Sequence, residues 1–346
     1  MQSNYDLLKI FGAVLDLCKV KNGETLAVLT QGGEREDYAA AYLAAAQERG
    51  AQAFQINVPK ALPQPGVKTK KTSLSGNQGA IDALKGADIV IDLVGLLWSA
   101  EQTEIQKAGA RILLCREPIE NIVKLFPRVE LRQRVEAAEK RLAAAKRMHI
   151  TSPAGTDVTY EFGQYPVITQ YGYTDQPGRW DHLAGGFLFT GARDGGVNGT
   201  VVIAPGDIIL PWKRYLSAPI RLNIANGNVA SIEGDNADAD VLRGYMARFN
   251  DPRAYAVSHI GWGMDEKAQW DFLATSPLAA QSSGLDGRAF YGNVLFSTGP
   301  NSELGGANDT ACHLDIPLRG CSLTLDNEQI LSNGALVPAD LRLPGR

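Results

Sequence analysis

Ile89-Val-Ile-Asp-Leu-Val94 sets one acid among five apolar side chains, the short continuous run expected of a strand covered on both faces. Similar runs flank it: Leu26-Ala-Val-Leu29 and Ala53-Phe-Gln-Ile-Asn-Val58 before, Arg111-Ile-Leu-Leu-Cys115 after. Between them the pattern turns helical, over Asp37 to Arg49, Gln78 to Leu84 and Glu101 to Ala108. Short apolar strands alternating with helices predict βαβ units and a parallel sheet. The first strand-to-helix turn, Gln31-Gly-Gly-Glu-Arg-Glu-Asp37, lacks the spaced glycines of a dinucleotide site. It also puts Glu34, Glu36 and Asp37 where a pyrophosphate would sit. Those acids suit a helix N-terminus instead. The sheet is therefore expected to be a scaffold and pocket wall, without NAD or ATP.

Outward from this core, Leu7, Leu8, Ile10, Phe11, Val14 and Leu15 are interrupted by Asp6, Lys9 and Asp16, which predicts an amphipathic helix and excludes a signal-peptide core. Arg128 to Met148 alternates charge (Arg132, Arg134, Glu136, Glu139, Lys140, Arg141) and predicts a helix with a solvated face. After His149 the texture changes to glycine-rich turns and short strands such as Thr200 to Ile203, Ile208 to Leu210, Arg221 to Ile224 and Cys321 to Asp326, with a helix from Ala237 to Phe249. A chain of 346 residues exceeds one typical core. The expected fold is α/β: a parallel-sheet scaffold domain at 1–150, then a glycine-rich α+β domain at 151–346. A net charge of −4 gives no reason to expect nucleic acid, and no run approaches the ~20 apolar residues of a membrane span. Cys18, Cys115, Cys312 and Cys321 show no CxxC pairing, so reduced thiols and a cytoplasmic location are expected.

The second half carries the chemistry. In Cys312-His-Leu-Asp-Ile-Pro-Leu318 polar and apolar residues alternate as in a half-buried strand, so His313 and Asp315 share a face and form half of a metal site. Cys312 would leave the opposite face. His259, in Tyr255-Ala-Val-Ser-His-Ile-Gly-Trp-Gly263, sits among small and aromatic residues rather than on a charged surface. Two imidazoles and one carboxylate are the set used by mononuclear non-haem Fe(II) oxygenases. Such a centre keeps a net charge near +1, which suits an anionic, chelating substrate.

The motifs Gly163-Gln-Tyr-Pro166, Tyr171-Gly-Tyr173, Pro177-Gly-Arg-Trp-Asp-His182, Gly206-Asp-Ile-Ile-Leu-Pro211, Phe249-Asn-Asp-Pro252, Ser258-His-Ile-Gly-Trp-Gly263, Phe290-Tyr-Gly-Asn293, Phe296-Ser-Thr-Gly-Pro-Asn301 and Cys312 to Leu318 are together similar to the 2,5-dihydroxypyridine 5,6-dioxygenase family. That family opens a pyridine ring with iron in bacterial nicotinate degradation and shares a superfamily with the aminopeptidase T metallopeptidases. The resemblance continues more weakly through the first half. It implies Fe(II) on His259, His313 and Asp315, a proton-handling histidine at His182, a substrate-contacting serine at Ser297, and ring-orienting roles for Tyr171 and Tyr173. It also implies O₂ and a small aromatic or N-heterocyclic substrate as partners, and a homo-oligomer built from dimers. Two positions depart from the family pattern: Trp98 stands where a ring-facing histidine is expected, and Gln170 where a glutamate is expected. Glutamine cannot take a proton. The expectation is an intact iron site with rewritten substrate contacts, so that the preferred ring is 2,5-dihydroxypyridine or a variant of it.

The alternative is an aminopeptidase T-like metallohydrolase, because His313 and Asp315 could serve a peptidase metal pair. A two-metal site needs extra bridging carboxylates, for which Glu303 is the nearest spare acid. No Gly-x-Ser-x-Gly is present to point to a serine hydrolase with its nucleophile on a sharp turn.

Overall fold

A computed structural model describes residues 6–61 and 72–343. The chain divides into two compact units, one of 1–127 with 171–185, the other of 128–170 with 186–346.

The first unit is built on the predicted parallel sheet. Its strands Thr25–Gln31, Gln52–Val58, Ile89–Asp92 and Arg111–Leu114 pair in the order second, first, third, fourth. The helices Glu36–Glu48, Gln78–Lys85 and Ala100–Lys107 make the crossovers. The inner strands Ile89–Asp92 and Arg111–Leu114 are buried at every position, which is why six of their eight side chains are apolar. The helix Leu7–Leu17 is capped by Asp6, whose side chain accepts the Lys9 N–H, and it buries Phe11 against Tyr42 with ring centroids 4.1 Å apart.

A fifth parallel strand, Trp180–His182, completes this sheet beside Arg111–Leu114. The single boundary expected at residue 150 therefore gives way to a chain that leaves the first unit at 127 and returns to it over 171–185. The charge-alternating helix is the other reason. It runs Val129–Ala144, and its Leu131, Val135, Ala138 and Leu142 are buried in the second unit. Arg134, expected in solvent, is 7% exposed and pairs with Glu266, while Arg128 pairs with Asp265 at 2.7 Å.

The second unit is antiparallel. An eight-stranded sheet runs from Asn228–Glu233 at one edge to Ala335–Leu336 at the other. A five-stranded sheet orders Leu314–Leu318, Val294–Thr298, Val257–Gly263, Phe187–Gly191 and Ile168–Gln170. This second sheet positions the candidate centre. Three of its strands are buried at every position, Val257–Gly263 at six of seven and Ile168–Gln170 at two of three. Among the described residues no helix is long and apolar enough to cross a membrane. All four cysteines are buried and unpaired.

Candidate metal centre

His259 lies on Val257–Gly263, the middle strand of the five-stranded sheet. Close packing there demands glycine: a Cβ on Gly261 would stand 1.9 Å from the Leu188 carbonyl oxygen. Pairing with Val294–Thr298 slips between Val257 and Ile260, and the irregularity re-aims His259. Ser297 fills it. Its hydroxyl accepts the His259 N–H at 2.8 Å and donates to the His259 carbonyl at 2.9 Å, in a fully buried position. Phe189 packs on the imidazole with ring centroids 4.7 Å apart.

Asp315 belongs to the edge strand Leu314–Leu318, opposite Ser297, and His313 immediately precedes that strand rather than lying within it. The side chains still converge as the spacing predicts. Asp315 Oδ1 is 3.2 Å from His259 Nε2 and 3.2 Å from His313 Nε2, and the two imidazole centroids are 5.5 Å apart. One ligand atom from each of the three lies within 4.8 Å of the others. Among the described residues no other group of three or more histidine, cysteine or acidic side chains converges in this way. Asp315 and His259 are buried, and His313 is half-buried.

The electrostatics keep the carboxylate ionised, and they favour on His313 a proton that a bound cation would displace. Burial alone would raise the Asp315 pKa, but the Arg288 guanidinium and the two imidazoles hold it well below the ordinary carboxylate range. For His313 burial works downward, and the Asp315 carboxylate overrides it, leaving the imidazole above its usual value. Oδ1 of Asp315, though buried, has no hydrogen bond. An orphaned carboxylate oxygen facing two imidazole nitrogens fits a divalent cation, which would satisfy all three at once. Arg288 contacts the other oxygen, and nothing local in the sequence marked it. Glu303 is not part of the cluster; its carboxylate lies 3.5 Å from the Ser258 hydroxyl.

The remaining candidates belong to other strands and loops. Trp98, Tyr171, Tyr173 and His182 belong to the first unit, and Gln170, buried at the end of Ile168–Gln170, to the second. His182 ends the fifth parallel strand, in register with Leu114, which is itself in register with Asp92. Its N–H is held by the buried Asp181, whose carboxylate also accepts the Tyr171 and Gly172 N–H groups and pairs with Arg179. The Arg179 guanidinium covers the Tyr171 ring at 3.9 Å, and Tyr171 meets Tyr173 edge-on at 5.0 Å. At the same end of the sheet Asp92 gathers the N–H groups of Val94, Gly95 and Leu96. The chain then takes positive φ at both Leu97 (23°) and Trp98 (60°), a costly conformation for such side chains. The Trp98 ring rests 4.6 Å from that of Trp180, which in turn is 6.3 Å from His182. His149, the fourth histidine, is exposed beside Asp157.

A sequence model of 2,5-dihydroxypyridine 5,6-dioxygenases matches residues 6–338. A 2,5-dihydroxypyridine 5,6-dioxygenase from Pseudomonas putida KT2440 is 43% identical over 344 residues, covering 97% of either chain. The chain belongs to the 2,5-dihydroxypyridine 5,6-dioxygenase family. A solved structure of the 2,5-dihydroxypyridine dioxygenase from that organism superposes with a TM-score of 0.94 at 42% identity, over 99% of this chain and 100% of that one. AmpT from Thermus thermophilus shares the fold at a TM-score of 0.63 and 15% identity, over 96% of this chain and 99% of that one. The dioxygenase family and the aminopeptidase T-like proteins thus have one architecture, as the sequence resemblance implied.

Proposed function

We propose that this chain opens a hydroxylated pyridine ring with O₂, using one Fe(II) held by His259, His313 and Asp315. The observation that carries this reading is the convergence of those three side chains on an orphaned carboxylate oxygen, in a chain of this family. Bound there, a ferrous ion would offer further positions to an anionic ring hydroxyl and to O₂, and a path for electrons between them. The protein's own contributions are positional. Ser297 fixes the backbone of His259 through two hydrogen bonds, which sets where that imidazole stands. Its hydroxyl is engaged there, so any contact with substrate would use its remaining acceptor capacity. His182 takes and returns the proton of the substrate hydroxyl, a task suited to an imidazole, which can both accept and donate one. Tyr171, Tyr173, Gln170 and Trp98 orient the ring, which is 2,5-dihydroxypyridine or a close variant.

After anaerobic reconstitution, one ferrous ion per chain and O₂ uptake with a hydroxypyridine are expected. Substitution of His259, His313 or Asp315 by alanine should abolish both. Two zinc ions per chain, peptidase activity and no O₂ uptake would falsify this reading in favour of the metallohydrolase that shares the fold. Among the described residues the cluster offers one carboxylate, Asp315, whereas a two-metal site needs further bridging carboxylates.

A further inference from the structure

Asp315 has two carboxylate oxygens, and the structure treats them unequally. Oδ1 stands 3.2 Å from both imidazole nitrogens and takes part in no hydrogen bond. Oδ2 receives both donors of Arg288, Nε at 2.8 Å and Nη2 at 2.6 Å. A guanidinium facing a carboxylate commonly sets one nitrogen on each oxygen. Here both converge on Oδ2, which leaves Oδ1 to the histidines.

Arg288 is itself held. It lies on the short helix Leu285–Ala289, and its Nη1 donates to the Ser283 carbonyl. Asn293 ties that helix to the His259 strand, because its Nδ2 donates to the Gly287 carbonyl and its Oδ1 accepts the Gly263 N–H. The guanidinium is therefore braced against the strand of one imidazole while it grips the carboxylate.

Carboxylates ligate metals through one oxygen or through two. We infer that Arg288 is a positioning residue that confines Asp315 to ligation through Oδ1 alone, and so keeps one more coordination position open to an anionic ligand. Its positive charge beside the centre favours the same ligand. The inference rests on the metal centre proposed above.

The test uses Co(II), whose visible absorption weakens as its coordination number rises, followed by azide as a small anionic probe. Wild-type, Arg288→Met and Arg288→Lys chains are compared. Arg288→Met should bind Co(II) less than tenfold more weakly than wild type, whereas loss of a mere support for a ligand typically costs about ten- to a hundredfold. It should also show the weaker absorption of a more crowded ion and bind azide at least about tenfold less tightly, because Oδ2 now occupies the open position. Arg288→Lys keeps a charged donor for Oδ2 and should recover most of the azide affinity. Azide binding unchanged in Arg288→Met, or Co(II) binding weakened by tenfold or more, overturns the inference. If Arg288→Met does not fold, Arg288→Lys decides: retained Co(II) and azide binding supports the guard, and lost Co(II) binding rejects it. A wild-type chain that takes up no divalent metal refutes the proposed function instead.

Discussion

At the scale of single residues, the function proposed above makes substrate choice turn on Trp98 and Gln170. Trp98 holds a left-handed backbone conformation that a tryptophan adopts only under constraint, with its N–H bonded to the Gln102 side chain and its ring against Trp180. A buried site built to pair one particular hydroxyl discriminates strongly, because unpaired polar groups are costly. The expected outcome is that a substituted hydroxypyridine matches or exceeds 2,5-dihydroxypyridine in kcat/KM. A panel of hydroxypyridines and hydroxylated benzenes measures it. A preference for 2,5-dihydroxypyridine above about tenfold, ~1.4 kcal/mol of transition-state binding, would show that these two positions leave specificity unchanged. Asp207 gives a pH signature. Burial pushes its pKa up to about 6, although the N–H groups of Ala204 and Arg319 donate to it. Between pH 4 and 6 the folded protein holds a proton that the unfolded chain has released, so stability falls as pH rises through that window. Asp207→Asn cannot titrate. Its stability relative to wild type should rise by about 2 kcal/mol from pH 4 to 7, on top of a constant offset from the altered hydrogen bonds. Urea unfolding at several pH values checks this, and a difference that stays flat rejects it.

At the scale of elements, the centre depends on how closely the edge strand can approach. Gly299 has φ +109°, and a Cβ there would stand 2.0 Å from the Cys312 carbonyl and 3.0 Å from the His313 Cα. Gly299→Ala should therefore destabilise the protein by about 3 kcal/mol and displace His313 enough to weaken metal binding tenfold or more. Urea unfolding and Co(II) titration together measure it; a variant as stable and as metal-competent as wild type refutes the close approach. Legibility in the sequence followed local pattern. The strands Ile89–Asp92 and Arg111–Leu114 were readable because burial on both faces leaves apolar residues almost everywhere. His313 and Asp315 were readable because alternate residues of an extended segment share a face, even though His313 falls just outside the strand. Trp180–His182 was not: three residues, two of them polar, carry no periodicity, and only pairing with Ile112–Leu114 makes them a strand. Arg288 was silent for a similar reason, since its partner lies 27 residues away in sequence. Ser297 was singled out by resemblance as a substrate contact, whereas the irregular pairing that it plugs is a tertiary feature.

For the whole molecule, each unit has its own sheets, and each sheet has edges to protect. Gln52–Val58 forms an open edge of the parallel sheet, with Gln52 and Asn57 exposed along it. Cover by a second copy would shield such an edge, and closed symmetry limits assembly to discrete sizes. The expected state is a dimer or a multiple of one. Light scattering at micromolar concentration decides it, and a monomer rejects it. The opposite edge is closed by Trp180–His182, which belongs to the stretch 171–185 that returns to the first unit. That return has a consequence in time. Synthesis delivers Arg111–Leu114 well before the strand that covers it, with residues 128–170 of the other unit emerging in between. At ordinary translation speeds the delay is about 3 to 14 s, long enough for helices and hairpins to form many times over. Throughout it the nascent first unit presents a bare strand with three apolar residues in a row, Ile112 to Leu114. The time taken to translate the intervening residues thus becomes part of the folding problem, and the same fifteen-residue return that carries His182 ends it.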